Sequence, residues 1–169
     1  MMRYVIMSVI FIISLVLQST LFSHLAVAGV KPDLPLIIII FYALFNGSKE
    51  GALVGLLGGF LQDLMFGQNL GMNALAKFTV GYLFGSLERK IYKENLFIPM
   101  IVVFSGTFLN ETILYVLRLI DGVPLNYLTS LQSVILSTAV YNSCLVPFVY
   151  GRFYKSSQKG LLSSDRWQV

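Results

Sequence analysis

The sequence predicts an all-α fold: a polytopic membrane protein built as a bundle of six transmembrane helices. Of its 169 residues, 56% are hydrophobic and 12% are charged, whereas an ordinary soluble domain has about 25% charged residues. The mean hydropathy is +0.77. The apolar residues come in six blocks separated by short polar breaks, and this pattern predicts one transmembrane domain over residues 1–154.

The first two blocks differ in length. The first, 4–28, is long enough to cross a hydrocarbon core about 30 Å thick. Its apolar stretch also exceeds the roughly 7 to 15 residues of a removable signal peptide, so we expect a retained helix. The second block, 33–46, is short for a full span and follows Pro32, which suits the first turn of a helix.

Blocks three and four, 51–66 and 72–87, are separated by the polar turn 67–71. The second and third blocks could instead form a re-entrant hairpin, but Lys49 and Glu50 would then lie at its tip inside lipid, where charges are costly. We therefore expect two full spans. Blocks five and six, 96–117 and 127–150, complete the six, and residues 155–169 form a polar cytoplasmic tail.

The orientation follows from the basic residues, which are retained on the cytoplasmic side of a membrane. One side of the predicted spans carries nine of them and the other side carries two. The nine are Arg3, Lys49, Arg89, Lys90, Lys93, Arg152, Lys155, Lys159 and Arg166, and the two are Lys31 and Arg118. We therefore expect both termini in the cytoplasm and the turns at Lys31, 67–71 and Asp121 on the outer side.

Several function classes find no support in the sequence. The net charge of +4 is spread between apolar blocks and forms no basic stripe with interleaved aromatic residues, so no nucleic acid is expected as a partner. Cys144 has no second cysteine, and the chain has a single histidine, so neither a disulfide nor a metal site is expected. No nucleophile elbow, zinc motif or phosphate-binding loop occurs. We expect a protein that is not an enzyme and needs no cofactor.

Two ridges of small residues give the most informative local pattern. Gly47, Gly51, Gly55 and Gly59 recur at every fourth position, and a second ridge at the same spacing contains Gly81 and Gly85 after Asn73 and Lys77. Because lipid supplies no strong hydrophobic force between helices, close backbone approach along such ridges favours helix association. The sequence therefore predicts that the third and fourth helices pack together.

Asp63 continues the first ridge, and Lys77 lies in the second. With a rise of about 1.5 Å per residue, the two side chains have similar depths on either side of the turn 67–71. An unpaired charge inside a membrane costs roughly 2.5 to 3.5 kcal/mol. We therefore expect Asp63 and Lys77 to form an ion pair near the outer end of the bundle.

Further polar residues fall in the outer half of the predicted bundle. The expected outer polar cluster comprises Asp33, Asp63, Asn73, Lys77 and Glu111, and other polar side chains in the spans are Gln18, His24, Asn110 and Asn142. Two interpretations stay open. The cluster either fixes the bundle through hydrogen bonds and ion pairs between helices, or lines an outward-facing cavity or partner contact.

Three short segments carry a resemblance to a known family. Lys31 to Leu34, Lys49 to Leu64 with its glycines, and Gly71 to Leu75 resemble, in order and spacing, the MreD family of rod shape-determining membrane proteins. The characteristic stretch covers about residues 30 to 90, and the last two helices match in size and hydropathy. Asp33, Asp63 and Asn73 occupy matching motif positions, which implies structural or cavity roles for them.

The resemblance implies a non-catalytic subunit of the bacterial cell-elongation complex in the inner membrane. Such a subunit binds MreC, is linked with MreB, RodA and a penicillin-binding transpeptidase, and helps organise lateral peptidoglycan synthesis among membrane lipids. The family is similar in fold to the S components of energy-coupling-factor transporters, which implies an S-component-like bundle. The alternative is a true S component that binds a vitamin or another small solute. Against it, the first helix lacks the alanine ridge with which S components typically meet their transporter.

Overall fold

A computed structural model of the chain describes residues 2–24, 30–66, 70–88, 97–122 and 131–159. The regular secondary structure in these ranges is helical, as the sequence predicts. The helices are α1 (Met2–His24), α2 (Leu34–Asn46), α3 (Ser48–Phe66), α4 (Met72–Gly85), α5 (Phe97–Ile120) and α6 (Ser137–Lys159). A π-helical segment, Leu131–Leu136, runs directly into α6.

The observed ends of the helices differ from the predicted ones at several places, including the end of α4 at Gly85 and that of α5 at Ile120. The turn between α2 and α3 is a single residue, Gly47, whose φ of 91° is a left-handed conformation that favours glycine. Helix α2 begins after Asp33, so Pro32 precedes the helix and Pro35 lies in its first turn instead. Helix α6 continues to Lys159, so 155–159 of the expected tail are helical. Positions 25–28, 96 and 127–130 of the predicted spans, and 160–169 of the tail, lie outside the described residues.

The short helix α2 forms the centre of the bundle. It packs against each of the other five helices, and every residue from Pro35 to Asn46 is buried. A helix that is apolar all round is suited to such a position. Its 13 residues give a length of about 20 Å, well below the roughly 30 Å of a bilayer core. The second block is therefore short because it is the core helix of the bundle.

The other helices present large apolar side chains on their outer faces. Leu57, Tyr82, Ile101 and Phe148 are among those exposed on α3, α4, α5 and α6. Three charged side chains, Asp33, Asp63 and Lys77, are buried inside the bundle instead, which is rare in soluble proteins. Among the described residues, two helical stretches, Phe97–Ile120 and Val134–Gly151, are long and apolar enough to cross a membrane.

Candidate functional site

Asp33 forms a buried ion pair that joins α2 to α4. As the N-cap of α2, it accepts a hydrogen bond from the backbone N–H of Leu36 at its Oδ1 (3.0 Å). Its Oδ2 accepts from Lys77 Nζ at 2.7 Å. Lys77 is fully buried and Asp33 nearly so. One carboxylate therefore both caps a helix and neutralises the buried ammonium group.

Asp63, near the end of α3, caps the N-terminus of α4. Its Oδ2 accepts from the backbone N–H groups of Gly71 (2.9 Å) and Ala74 (3.1 Å). Its Oδ1 accepts from the backbone N–H and the side-chain Nδ2 of Asn73, at 3.2 and 2.8 Å. Gly71 occupies the N-cap position of α4 and has no side chain to cap it. Asp63 therefore satisfies donors that the first turn of α4 leaves open, at the positive end of its dipole.

The predicted ion pair between Asp63 and Lys77 is wrong. Asp63 already accepts four hydrogen bonds at the start of α4, and Lys77 binds Asp33 instead. The two residues are connected indirectly, because Asn73 donates to Asp63 and accepts a long hydrogen bond from Lys77 Nζ (3.4 Å). Backbone N–H groups and the side-chain amide of Asn73 replace the expected countercharge of Asp63.

The polar contacts continue from Asp33 into α6 and α5. The backbone N–H of Asp33 donates to Asn142 Oδ1 at 3.0 Å, and Asn142 Nδ2 donates to Thr107 Oγ1 at 3.1 Å. Asn142 and Thr107 are fully buried. Thr107 was not expected as a site residue, although it stands three and four residues before Asn110 and Glu111 and so shares their face of α5.

Asn110 and Glu111 form the last part of the site. Asn110 Nδ2 donates to Glu111 Oε1 at 3.2 Å, and both residues stand one turn of α5 beyond Thr107. Asn110 is fully buried, whereas Glu111 is half-buried. We call the whole set the polar layer. Its members are Asp33, Asp63, Asn73, Lys77, Thr107, Asn110, Glu111 and Asn142, and they come from every helix except α1.

The structure places the two glycine ridges against each other inside the bundle. A Cβ atom on Gly55 would meet the backbone carbonyl of Lys77, and one on Gly81 would meet that of Gly51. A Cβ on Gly59 would likewise meet the backbone of Asn73. At the other end of the ridges, Gly85 lies against Ser48 and Gly47. The glycines thus allow α3 and α4 to approach at backbone distance, and they are not available to another helix.

The arrangement of the polar layer is suited to holding helices together. Asp63 and Lys77 are buried and bonded within the layer, so neither can reach a substrate in this conformation. Within the described ranges, no group of three His, Cys, Asp or Glu side chains could hold a metal ion. Gln18 is half-buried outside the layer, and the side chain of His24 lies outside the described residues.

The bundle has charged groups inside and apolar side chains outside. This arrangement is typical of helical membrane proteins whose helices are held together by internal polar contacts. A family model described as rod shape-determining protein MreD matches residues 1–156. This chain belongs to the MreD family. It is therefore a membrane protein with a role in rod shape determination, in a family that is part of the shape-determining system with MreC and MreB.

The family match extends well beyond the stretch of about residues 30 to 90 that carries the resemblance in the sequence. No curated protein and no solved structure gives a significant match to the chain. The expected similarity in fold to S components therefore stays a prediction.

Proposed function

We propose that this chain is a non-catalytic, multi-pass subunit of the bacterial cell-elongation complex that binds an MreC-like single-pass membrane protein. Through this partner it helps organise lateral peptidoglycan synthesis, in association with MreB, RodA and a penicillin-binding transpeptidase. Membership of the MreD family supports the role in cell shape. The scaffold role is supported by one observation: Asp33, Asp63 and Lys77 all form contacts between helices.

We further propose that all six helices cross the inner membrane, with both termini in the cytoplasm. The nine-to-two distribution of basic residues supports this orientation. It places the polar layer in the outer half of the bundle, because α2 begins and α3 ends on the outer side. Single cysteines labelled from either side of intact cells test it. Labelling at Asp121→Cys only from outside, and at Lys49→Cys only from inside, is expected. The reverse pattern would overturn the orientation.

The partner helix docks on an apolar outer face, since the glycine ridges are used between α3 and α4. Exposed apolar side chains occur on α1, α3, α4, α5 and α6, so each of these helices offers a candidate surface. Van der Waals packing is the main attraction available on such a surface within lipid. A partner that crosses the membrane once can follow one of these faces over its whole length.

Crosslinking from single cysteines tests the partner surface. The set Ile13→Cys, Leu57→Cys, Tyr82→Cys, Val116→Cys and Phe148→Cys samples one exposed position on each outer helix. Each is made with Cys144→Ala, because Cys144 is exposed and would react itself. The buried Ile39→Cys is the matched control and should not crosslink. Crosslinks to an MreC-like protein from one or two helices support the proposal, and failure to co-purify any such protein would overturn it.

Depletion of the protein followed by microscopy separates this function from solute binding. Rod-shaped cells are expected to become round. Normal shape combined with loss of uptake of a vitamin would instead support an S component.

A further inference from the structure

One buried acceptor in the polar layer has no donor. Asn110 is fully buried, and within the described residues its Oδ1 has no hydrogen-bond partner. The other end of the same amide, Nδ2, donates to Glu111 Oε1 at 3.2 Å, so the amide is turned toward that carboxylate. A buried carbonyl oxygen without a donor is unfavourable, because it has lost its hydrogen bonds to water. The position therefore favours a group that brings N–H or O–H donors.

The charges around Asn110 do not balance. Lys77 is paired with Asp33 at 2.7 Å, and Glu111 forms no ion pair within 4 Å with any residue that the structure describes. The side chain of Arg118, seven residues further along α5, is exposed. An uncompensated carboxylate in a bundle of low dielectric constant favours the arrival of a positive charge.

The oxygen atoms at Asn110 and Glu111 suit an ammonium group better than a metal ion. Metal ions such as Ca²⁺ and Mg²⁺ need about six or more oxygen ligands, and the described residues contain no group of three acidic, histidine or cysteine side chains that could hold one. A protonated primary amine instead presents three N–H donors. Two of them suit Asn110 Oδ1 and the carboxylate of Glu111.

We propose that Asn110 and Glu111 form a binding site for a primary ammonium group. Glu111 is the partly exposed member of this pair, whereas Asn110 beside it and Leu114 and Tyr115 in the next turn of α5 are buried. Glu111 stands nine residues before Ile120 at the end of α5, a distance of about 14 Å along the helix. The ammonium group belongs either to a free amine or to a lipid headgroup such as that of phosphatidylethanolamine.

The inference goes beyond the proposed function, because it concerns a ligand of this chain alone. Ligand binding is measured on the purified protein, and partner binding is measured by co-purification, so either can fail without the other.

Thermal unfolding of the full chain tests the site with defined probes. Ethanolamine should raise the melting temperature in a saturable manner. Choline carries the same charge without N–H donors, and sodium is a metal ion; neither should do so at equal concentration. Equal effects of ethanolamine, choline and sodium, or no effect of ethanolamine in any membrane mimetic, would overturn the proposal.

Single substitutions test whether ethanolamine acts at Asn110 and Glu111. Glu111→Gln should abolish the ethanolamine shift, whereas Asp121→Asn, an exposed carboxylate outside the layer, should leave it unchanged. Asn110→Leu should raise the half-saturating concentration at least about tenfold, since the acceptor is lost. It also serves as the second variant if Glu111→Gln does not fold. An unchanged shift in a folded Glu111→Gln or Asn110→Leu protein would contradict the site.

Nanodiscs distinguish the two sources of the ammonium group. If the lipid supplies it, discs of phosphatidylethanolamine raise the melting temperature above that in phosphatidylcholine, and added ethanolamine has no further effect there. If the ligand is a free amine, ethanolamine shifts the melting temperature in both kinds of disc. Both outcomes support the site, and the absence of any shift in either disc counts against it.

Discussion

Lys77 Nζ lies 2.7 Å from Asp33 Oδ2, and this ion pair connects the start of the central helix α2 to the middle of α4. Lys77 has no exposed surface at all. A buried ion pair contributes little net stability by itself, because desolvation offsets most of the attraction. Breaking the pair is costly, because one charge would then be buried without a partner. The pair therefore determines which residues of α2 and α4 face each other.

Removing one partner of this pair should destabilise the bundle strongly. Lys77→Met or Asp33→Asn is expected to lower the free energy of unfolding by about 3 to 5 kcal/mol, because the first leaves a buried carboxylate and the second a buried ammonium group without a countercharge. Thermal or denaturant unfolding of the purified protein, followed by circular dichroism, measures the loss.

The double variant Asp33→Asn/Lys77→Met should lose less than the sum of the two single losses, since it leaves no lone charge. The pair Asp63→Ala and Lys77→Met is the matched control and should show a smaller coupling, because Asn73 lies between these residues. Additive losses for Asp33 and Lys77 would contradict the ion pair.

Asp63 should act as the N-terminal cap of α4. Asp63→Ala is expected to cost about 1 to 3 kcal/mol, since four hydrogen bonds to a charged acceptor are lost. Asp63→Asn should lose less, because asparagine is also a good capping residue. Hydrogen exchange at the first turn of α4 measures the effect directly. An exchange rate there that does not change in Asp63→Ala would rule out the capping role.

Adding a methyl group to a ridge glycine should separate α3 from α4. Gly55→Ala is expected to destabilise by about 1 to 3 kcal/mol, because the new Cβ would meet the backbone of Lys77, which cannot move like a side chain. Gly151→Ala is the matched control in α6, where a Cβ would meet nothing within 4 Å. Alanine is the better helix former, so the control should be neutral or up to about 1 kcal/mol more stable. Equal effects of the two substitutions would contradict ridge packing.

A smaller side chain at position 11 of α1 should restore the stability that is lost when a methyl group is added at Gly58 of α3. A Cβ on Gly58 would collide with the ring of Phe11, so Gly58→Ala should loosen α1 from the bundle. A smaller side chain at position 11 makes room, and Phe11→Leu/Gly58→Ala should therefore be more stable than Gly58→Ala alone. Limited proteolysis at the α1–α2 connection reports the docking of α1. No gain on adding Phe11→Leu would show that the contact does not determine how α1 packs.

Part of the fold could be predicted because some patterns allow only one physical interpretation. Glycine at every fourth position has few uses in an apolar helix other than close approach, and Gly55 and Gly81 do lie against the backbone of the neighbouring helix. Six apolar blocks likewise indicate helices. Their ends depended on capping by Asp33 and on the left-handed residue Gly47, details that hydropathy does not contain.

The polar layer was harder to predict, because a sequence shows charges but not the free backbone N–H groups at the start of a helix. Asp63 needs no cation, since the first turn of α4 supplies its donors. Asp33 belongs to the expected outer polar cluster, but its position in the sequence does not show which members of that cluster it contacts. Because α2 lies at the centre of the bundle, its N-cap Asp33 reaches both Lys77 and Asn142.

The central position of α2 also bears on how the protein is made. With 13 residues and a carboxylate at its start, α2 is shorter than the roughly 17 to 25 residues that let a segment enter a bilayer as an independent unit. Its position in the bundle depends on contacts with Lys77, Asn142 and the apolar faces of the neighbouring helices. We therefore expect α2 to take its central position only after the helices around it have inserted.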